Sequence, residues 1–149
     1  MQIFIGGIGC FWDETEYHGT PGVIDTECGY CGGKSSVVSY EQVCDGNSEH
    51  IEVVKVKFDP KIISYEEVTR LFFKIHDPTT FNRQGPNVGY QYRSEIFYNT
   101  VEEKIIAEKV LNEVNNKLNG KVVTIIRKEK NYCRAEEYHQ KYFEKQNKK

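Results

Sequence analysis

Apolar and polar residues alternate most regularly at "EHIEVVKVKFDP". Its even positions read Glu52, Val54, Val56 and Phe58, and its odd positions Ile51, Val53, Lys55 and Lys57. A period of two predicts a strand. "SYEEVTRLFFKIHD" has the helical period, with Val68, Leu71, Phe72 and Ile75 in one stripe. Ser64 is placed to cap that helix, and Glu67 three residues on completes a capping box. Thr100 and Glu103 open a second long helix, with Ile106, Val110, Val114 and Leu118 along one side. "QIFIGG", "GVIDTECGYC", "SEIFYN" and "KVVTIIRK" read as further strands, the second broken by Gly32-Gly33. "CFWDETEYH" reads as a short helix with Asp13 and Glu14 in its first turn, ended by "TPG" at 20–22.

The stretches 34–48 and 77–93 read as loops, the first with a helical turn at "SYEQVCDG". After "KVVTIIRK" the tail reads as irregular and partly helical. Strands and helices interleave without an even βαβ rhythm. That order predicts an α+β fold: a two-layer sandwich of a mixed sheet and packed helices, with a ferredoxin-like core. With no repeat or linker in 149 residues, one domain spanning 1–149 is expected.

Composition narrows the function. A formal net charge of −2 gives no reason to expect nucleic acid or a membrane surface as partner. No apolar run approaches membrane-spanning length, and "MQIFIGG" lacks the features of a signal peptide. A reducing, cytoplasmic compartment is therefore expected. There the five cysteines (10, 28, 31, 44 and 133) point to catalytic, redox or metal-binding roles before a disulfide framework.

Four features carry candidate chemistry. Cys10 stands where a strand gives way to a helix, whose N-terminus favours a thiolate; Phe11 and Trp12 can wall an apolar pocket beside it. A buried core cysteine is the alternative. Glu52 shares its strand face with valines and a phenylalanine. An apolar setting raises the pKa of a carboxyl and suits it to general-acid work. Its alternative is a strand-end side chain in solvent. The 77–93 loop gathers Asn82, Arg83, Gln84, Asn87, Tyr90, Gln91 and Tyr92, and such long loops are often functional. Cys28 and Cys31 have the spacing of a redox dithiol or half a zinc site. A strand between them would put them on opposite faces, and the histidines at 18, 50, 76 and 139 form no paired ligand motif. No metal or other cofactor is expected.

"GCFW" at 9–12, "GYCGG" at 29–33, "SYEQVCDG" at 39–46, "HIE" at 50–52, "VKFDPKIISYEE" at 56–67, "IHDPTTFNRQGPNVGYQYRS" at 75–94 and "AEEYHQKY" at 135–142 together resemble the peptide methionine sulfoxide reductase A family. The resemblance implies a thiol-dependent reductase of methionine S-sulfoxide, free or protein-bound. It implies that Cys10 attacks the sulfoxide sulfur, and that Phe11 and Trp12 hold the S-methyl group. Glu52 would protonate the departing oxygen, helped by Tyr40 and Tyr92. Asn87 stands where the family usually has an aspartate, which implies a weakened contribution there. Ile51 replaces a usual alanine, and the stretch from Cys10 to Gly22 is about one residue shorter. The sulfenic acid left on Cys10 would be resolved by Cys31, Cys28 or Cys133, or by thioredoxin, glutathione or another thiol. Cys44 reads as structural. Two rival readings are a thiol–disulfide oxidoreductase centred on Cys28 and Cys31, and a module that binds methionine-like side chains without turnover.

Overall fold

The computed structural model describes residues 2–7, 17, 19–33, 50–76, 78–80, 83–84, 87–88, 94–130 and 132–134, with 83–84, 87–88 and 133–134 described through their backbone. In chain order the elements are β1 (Gln2–Gly7), β2 (Val23–Cys31), β3 (Ile51–Phe58), α1 (Tyr65–Ile75), β4 (Arg83–Gln84), β5 (Asn87–Val88), β6 (Glu95–Tyr98), α2 (Val101–Lys117), β7 (Ile125–Lys128) and β8 (Cys133–Arg134). Six of the strands form one sheet in the order β7-β6-β1-β3-β2-β8. β1 pairs antiparallel with β3 and β6, and β2 antiparallel with β3 and β8. β7 runs parallel to β6, and α2 provides the crossover that a parallel pair requires. The sheet is thus mixed, as the pattern predicts, and among the described residues the two long helices pack on it.

Alternation along each strand divides the core in two. Phe4, Val54, Val56, Phe58 and Ile96 face the helices and pack with Val68, Phe72, Ala107 and Val110. Phe72 lies edge-on to Phe4, with ring centroids 5.4 Å apart. Gly6 makes that approach possible: a Cβ there would sit 2.6 Å from the Phe72 ring. Ile5, Cys31, Ile51, Val53 and Phe97 form a smaller cluster on the opposite face.

The chain after β7 turns over that second face. Lys130 O accepts from Gly32 N at 2.7 Å and from the Cys31 thiol at 3.3 Å. The Tyr132 hydroxyl donates to Glu27, and Lys55 Nζ lies 4.7 Å over the Tyr132 ring. Arg127 completes the strap: its Nε lies 2.6 Å from Glu95 Oε1, and its Nη2 donates to Gly32 O at 3.1 Å. Gly32 has φ +91°, a conformation that favours glycine, and a Cβ there would fall 2.1 Å from that Nη2 and displace the Arg127 side chain.

The two long predicted helices form with their caps. Ser64 Oγ accepts from Glu67 N at 3.1 Å, while Glu67 Oε1 accepts from Ser64 N at 3.3 Å. Thr100 Oγ1 accepts from Glu103 N at 3.2 Å, but the Glu103 carboxylate turns inward to Asn99 N and Gln2 Nε2. Leu118, predicted as the last of the helical stripe, is instead the C-cap residue of α2.

Two predicted irregular stretches hold short ladders. β4 and β5 pair antiparallel inside the 77–93 stretch, and β8 lies in the predicted tail. Two-residue strands are too short to leave a period in the sequence. Conversely, "KVVTIIRK" pairs only from Ile125 onward. Before it, Val123 N donates to Pro78 O at 2.8 Å and Val122 N to Asn115 Oδ1 at 3.1 Å. The helix predicted at 10–18 and the turn predicted at 39–46 lie outside the described residues, apart from Tyr17. Tyr17 is helical and fully buried, and its hydroxyl donates to Val68 O at 3.3 Å.

Candidate active site

The period of two in β3 sends Glu52 to the same face as Val54, Val56 and Phe58, and the residue is 1% exposed. The alternative of a strand-end carboxyl in solvent does not hold. Across the ladder Glu52 stands opposite Tyr30, itself buried, and Tyr30 stands opposite Cys133. In the adjacent row Arg134, Gly29, Val53, Gly7 and Glu95 are in register. The ends of β1 and β2 and the starts of β3 and β6 therefore meet at one edge of the sheet, and Glu52 belongs to that edge. His50, also fully buried, precedes β3 there.

Tyr30 is the neighbour that sequence reasoning passed over. Its place opposite Glu52 follows from the β2–β3 register, which neither strand's own pattern reveals.

Cys28 and Cys31 are both fully buried, but on different faces. Cys28 stands opposite Val54 of the helix-side cluster, and Cys31 opposite Ile51 of the other. No disulfide joins them. A dithiol working through this pair would need both sulfurs on one side, so the oxidoreductase reading loses its geometry. Burial pushes the Cys31 thiol from 9.0 up to about 12. Near neutral pH it is a protonated, unreactive thiol.

Asn87 and Cys133 are placed by their backbones, Asn87 opposite Gln84 in the β4–β5 ladder. Cys10, Phe11, Trp12, Tyr40, Cys44 and Tyr92 lie outside the described residues, as do Asn82, Tyr90 and Gln91. A cavity of about 240 Å3 opens on Ile3, Asp25, Thr26, Glu27, Lys55 and Lys57, farther along β3, and contains none of the predicted site residues. Among the described residues no group of His, Cys, Asp and Glu is arranged to hold a metal ion, and no helix is long and apolar enough to cross a membrane.

The family model of peptide methionine sulfoxide reductase matches residues 1–149. Peptide methionine sulfoxide reductase MsrA of Pelagibacter ubique is 58% identical over 146 residues, covering 97% of this chain and 99% of that protein. The reduced form of Mxr1 from Saccharomyces cerevisiae superposes with a TM-score of 0.90 at 37% identity, over 99% of this chain and 87% of that one. Mxr1 in complex with Trx2 superposes with a TM-score of 0.67 at 26% identity, over 95% of this chain and 84% of that one. With a match along its whole length and a relative of that identity, the chain belongs to the peptide methionine sulfoxide reductase A family.

Proposed function

We propose that this chain catalyses the reaction of its family, the thiol-dependent reduction of methionine sulfoxide to methionine, with Cys10 as nucleophile and Glu52 as general acid. The substrate is the S epimer, free or within a protein. The Cys10 thiolate attacks the sulfoxide sulfur while Glu52 delivers a proton to its oxygen. The attack forms an S–S bond between Cys10 and the substrate; the protonated oxygen then passes to the Cys10 sulfur as the substrate's S–O bond and the new S–S bond break, so methionine leaves and Cys10 is left as a sulfenic acid. A sulfoxide oxygen leaves poorly without a proton, so donor and thiolate must meet across one sulfur.

The observation that carries this reading is the burial of Glu52 on an apolar strand face, beside the end of β1. Removing a carboxyl from water favours its proton-bearing form, the form a general acid needs. β1 ends at Gly7, opposite Val53 and three residues before Cys10. Phe11 and Trp12 wall the S-methyl group, Tyr40 and Tyr92 donate hydrogen bonds at the oxygen, and Asn87 assists in place of a carboxylate.

Of the resolving candidates, Cys133 fits best. Its backbone lies two strands from Glu52 in the same row, about 10 Å away at ordinary strand spacing. Cys31 is on the wrong face with a raised pKa, and Cys28 is sealed in the helix-side row. The Cys133 thiol condenses with the Cys10 sulfenic acid, giving a disulfide and water. A dithiol such as thioredoxin, or two molecules of glutathione, then reduces that disulfide by exchange. The Mxr1–Trx2 complex supports a thioredoxin as that partner. A reducing cytoplasm suits a cycle that ends in thiols.

The family match over 1–149 supports a single domain. A ferredoxin-like core is supported by the order β6-β1-β3-β2, in which every neighbour is antiparallel and β3 lies between β1 and β2.

A single turnover without reductant tests the reading by counting methionine formed and thiols lost per chain. The wild type releases about one methionine and loses two thiols. Cys133→Ser releases as much and loses one, and Cys10→Ser releases none. Methionine formed by Cys10→Ser contradicts the mechanism.

A further inference from the structure

We propose that His76, Ser94 and Thr124 are positioning residues for this reaction: a hydrogen-bonded clasp that closes the base of the 77–93 segment and fixes the stretch of backbone that carries Asn87. The inference rests on the proposed role of that segment.

His76 caps the C-terminal end of α1, and Ser94 leads into β6. The two residues flank the segment, eighteen positions apart, and their side chains meet: His76 Nε2 lies 2.8 Å from Ser94 Oγ. Ser94 Oγ lies in turn 2.7 Å from Thr124 Oγ1, on the approach to β7. The other ring nitrogen, His76 Nδ1, lies 2.5 Å from Phe72 O. A carbonyl only accepts, so Nδ1 carries the proton. In the neutral ring Nε2 then accepts from the Ser94 hydroxyl, which accepts from Thr124. The chain of donors runs in one direction from Thr124 through Ser94 and His76 to α1.

Ser94 and Thr124 are 1% and 9% exposed, so water does not substitute readily for either partner. The His76 ring also packs on Phe72, with centroids 4.3 Å apart, and so joins the helix-side core. Two backbone bonds reinforce the closure: Val123 N donates to Pro78 O at 2.8 Å, and Ile125 N to Ser94 O at 3.2 Å. Both ends of the segment are thereby fixed to each other and to the ladder between β6 and β7. The segment carries Asn87 in the β4–β5 ladder. A base held this firmly aligns that ladder without touching substrate. Misplacing catalytic groups by about an ångström costs up to about 10²-fold in rate.

The test is steady-state kinetics on a methionine sulfoxide peptide with dithiothreitol, for Ser94→Ala, Thr124→Val and Thr124→Ser. Ser94→Ala is expected to lower kcat about tenfold with a smaller change in KM. Thr124→Val lowers kcat to a lesser degree, and Thr124→Ser, which keeps the hydroxyl, recovers the rate that Val loses. Each rate is normalised to the folded fraction measured by circular dichroism. A normalised kcat for Ser94→Ala equal to wild type overturns the clasp, as does Thr124→Ser performing no better than Thr124→Val. Activity remaining in Cys10→Ser defeats the proposed function instead, so the two failures are told apart.

Discussion

The two faces of the sheet are buried by different means. On one, two amphipathic helices lay Val68, Phe72, Ala107 and Val110 on Phe4, Val54, Val56 and Ile96. On the other, five buried residues lie under an irregular strap held by hydrogen bonds and an ion pair. Cys31, on the strap side, is a thiol that burial has switched off. Glu52, at the end of the helix side, is a carboxyl that the same strand alternation carries into apolar surroundings. Burial alone therefore does not make a group functional. A nucleophile needs its charged form, which burial suppresses; a proton donor needs its neutral form, which burial favours.

Core truncation separates the faces by the largest margin. Phe72→Ala on the helix side is expected to destabilise the fold by about 3–5 kcal/mol, whereas Ile5→Val on the strap side costs about 0.5–1.5 kcal/mol. Urea denaturation reads both. A cost for Phe72→Ala no larger than that for Ile5→Val would mean that the helices do not carry the main core.

A smaller effect sharpens the contrast at Cys31. Its pKa is higher folded than unfolded, so between 9.0 and about 12 the native state holds a proton that the unfolded chain has lost. Stability from this group is full below pH 9 and falls as pH rises toward 12. The stability advantage of wild type over Cys31→Ala should therefore shrink by about 1 kcal/mol between pH 8 and pH 10. A pH-independent difference would show that Cys31 is not held as a buried thiol.

Elements with many repeats of their period were readable from the residues alone. β3 shows four alternations, α1 a stripe and a full capping box, and α2 its Thr100 cap. The orientation of Glu52 followed from parity. β4, β5 and β8 were not readable, because two residues make no period. Nor were Tyr30 opposite Glu52, Arg127 reaching Gly32, or the His76–Ser94–Thr124 clasp, because each joins segments 18 or more positions apart. Such pairings depend on register and on chain crossings that local pattern does not encode. Of the site, the apolar facing of Glu52 and the opposite faces of Cys28 and Cys31 followed from strand parity, the full burial of the two cysteines did not, and Cys10, Phe11, Trp12, Tyr40 and Tyr92 lie outside the described residues.

The central claim is that the carboxyl of Glu52 supplies the proton that lets the sulfoxide oxygen leave. Its most direct measurement is the single-turnover rate of methionine formation by Glu52→Gln at neutral pH, beside the rate at which iodoacetamide consumes Cys10. The account predicts methionine formation slowed by about 10²-fold or more, with Cys10 still alkylated. Methionine formed at the wild-type rate would contradict it.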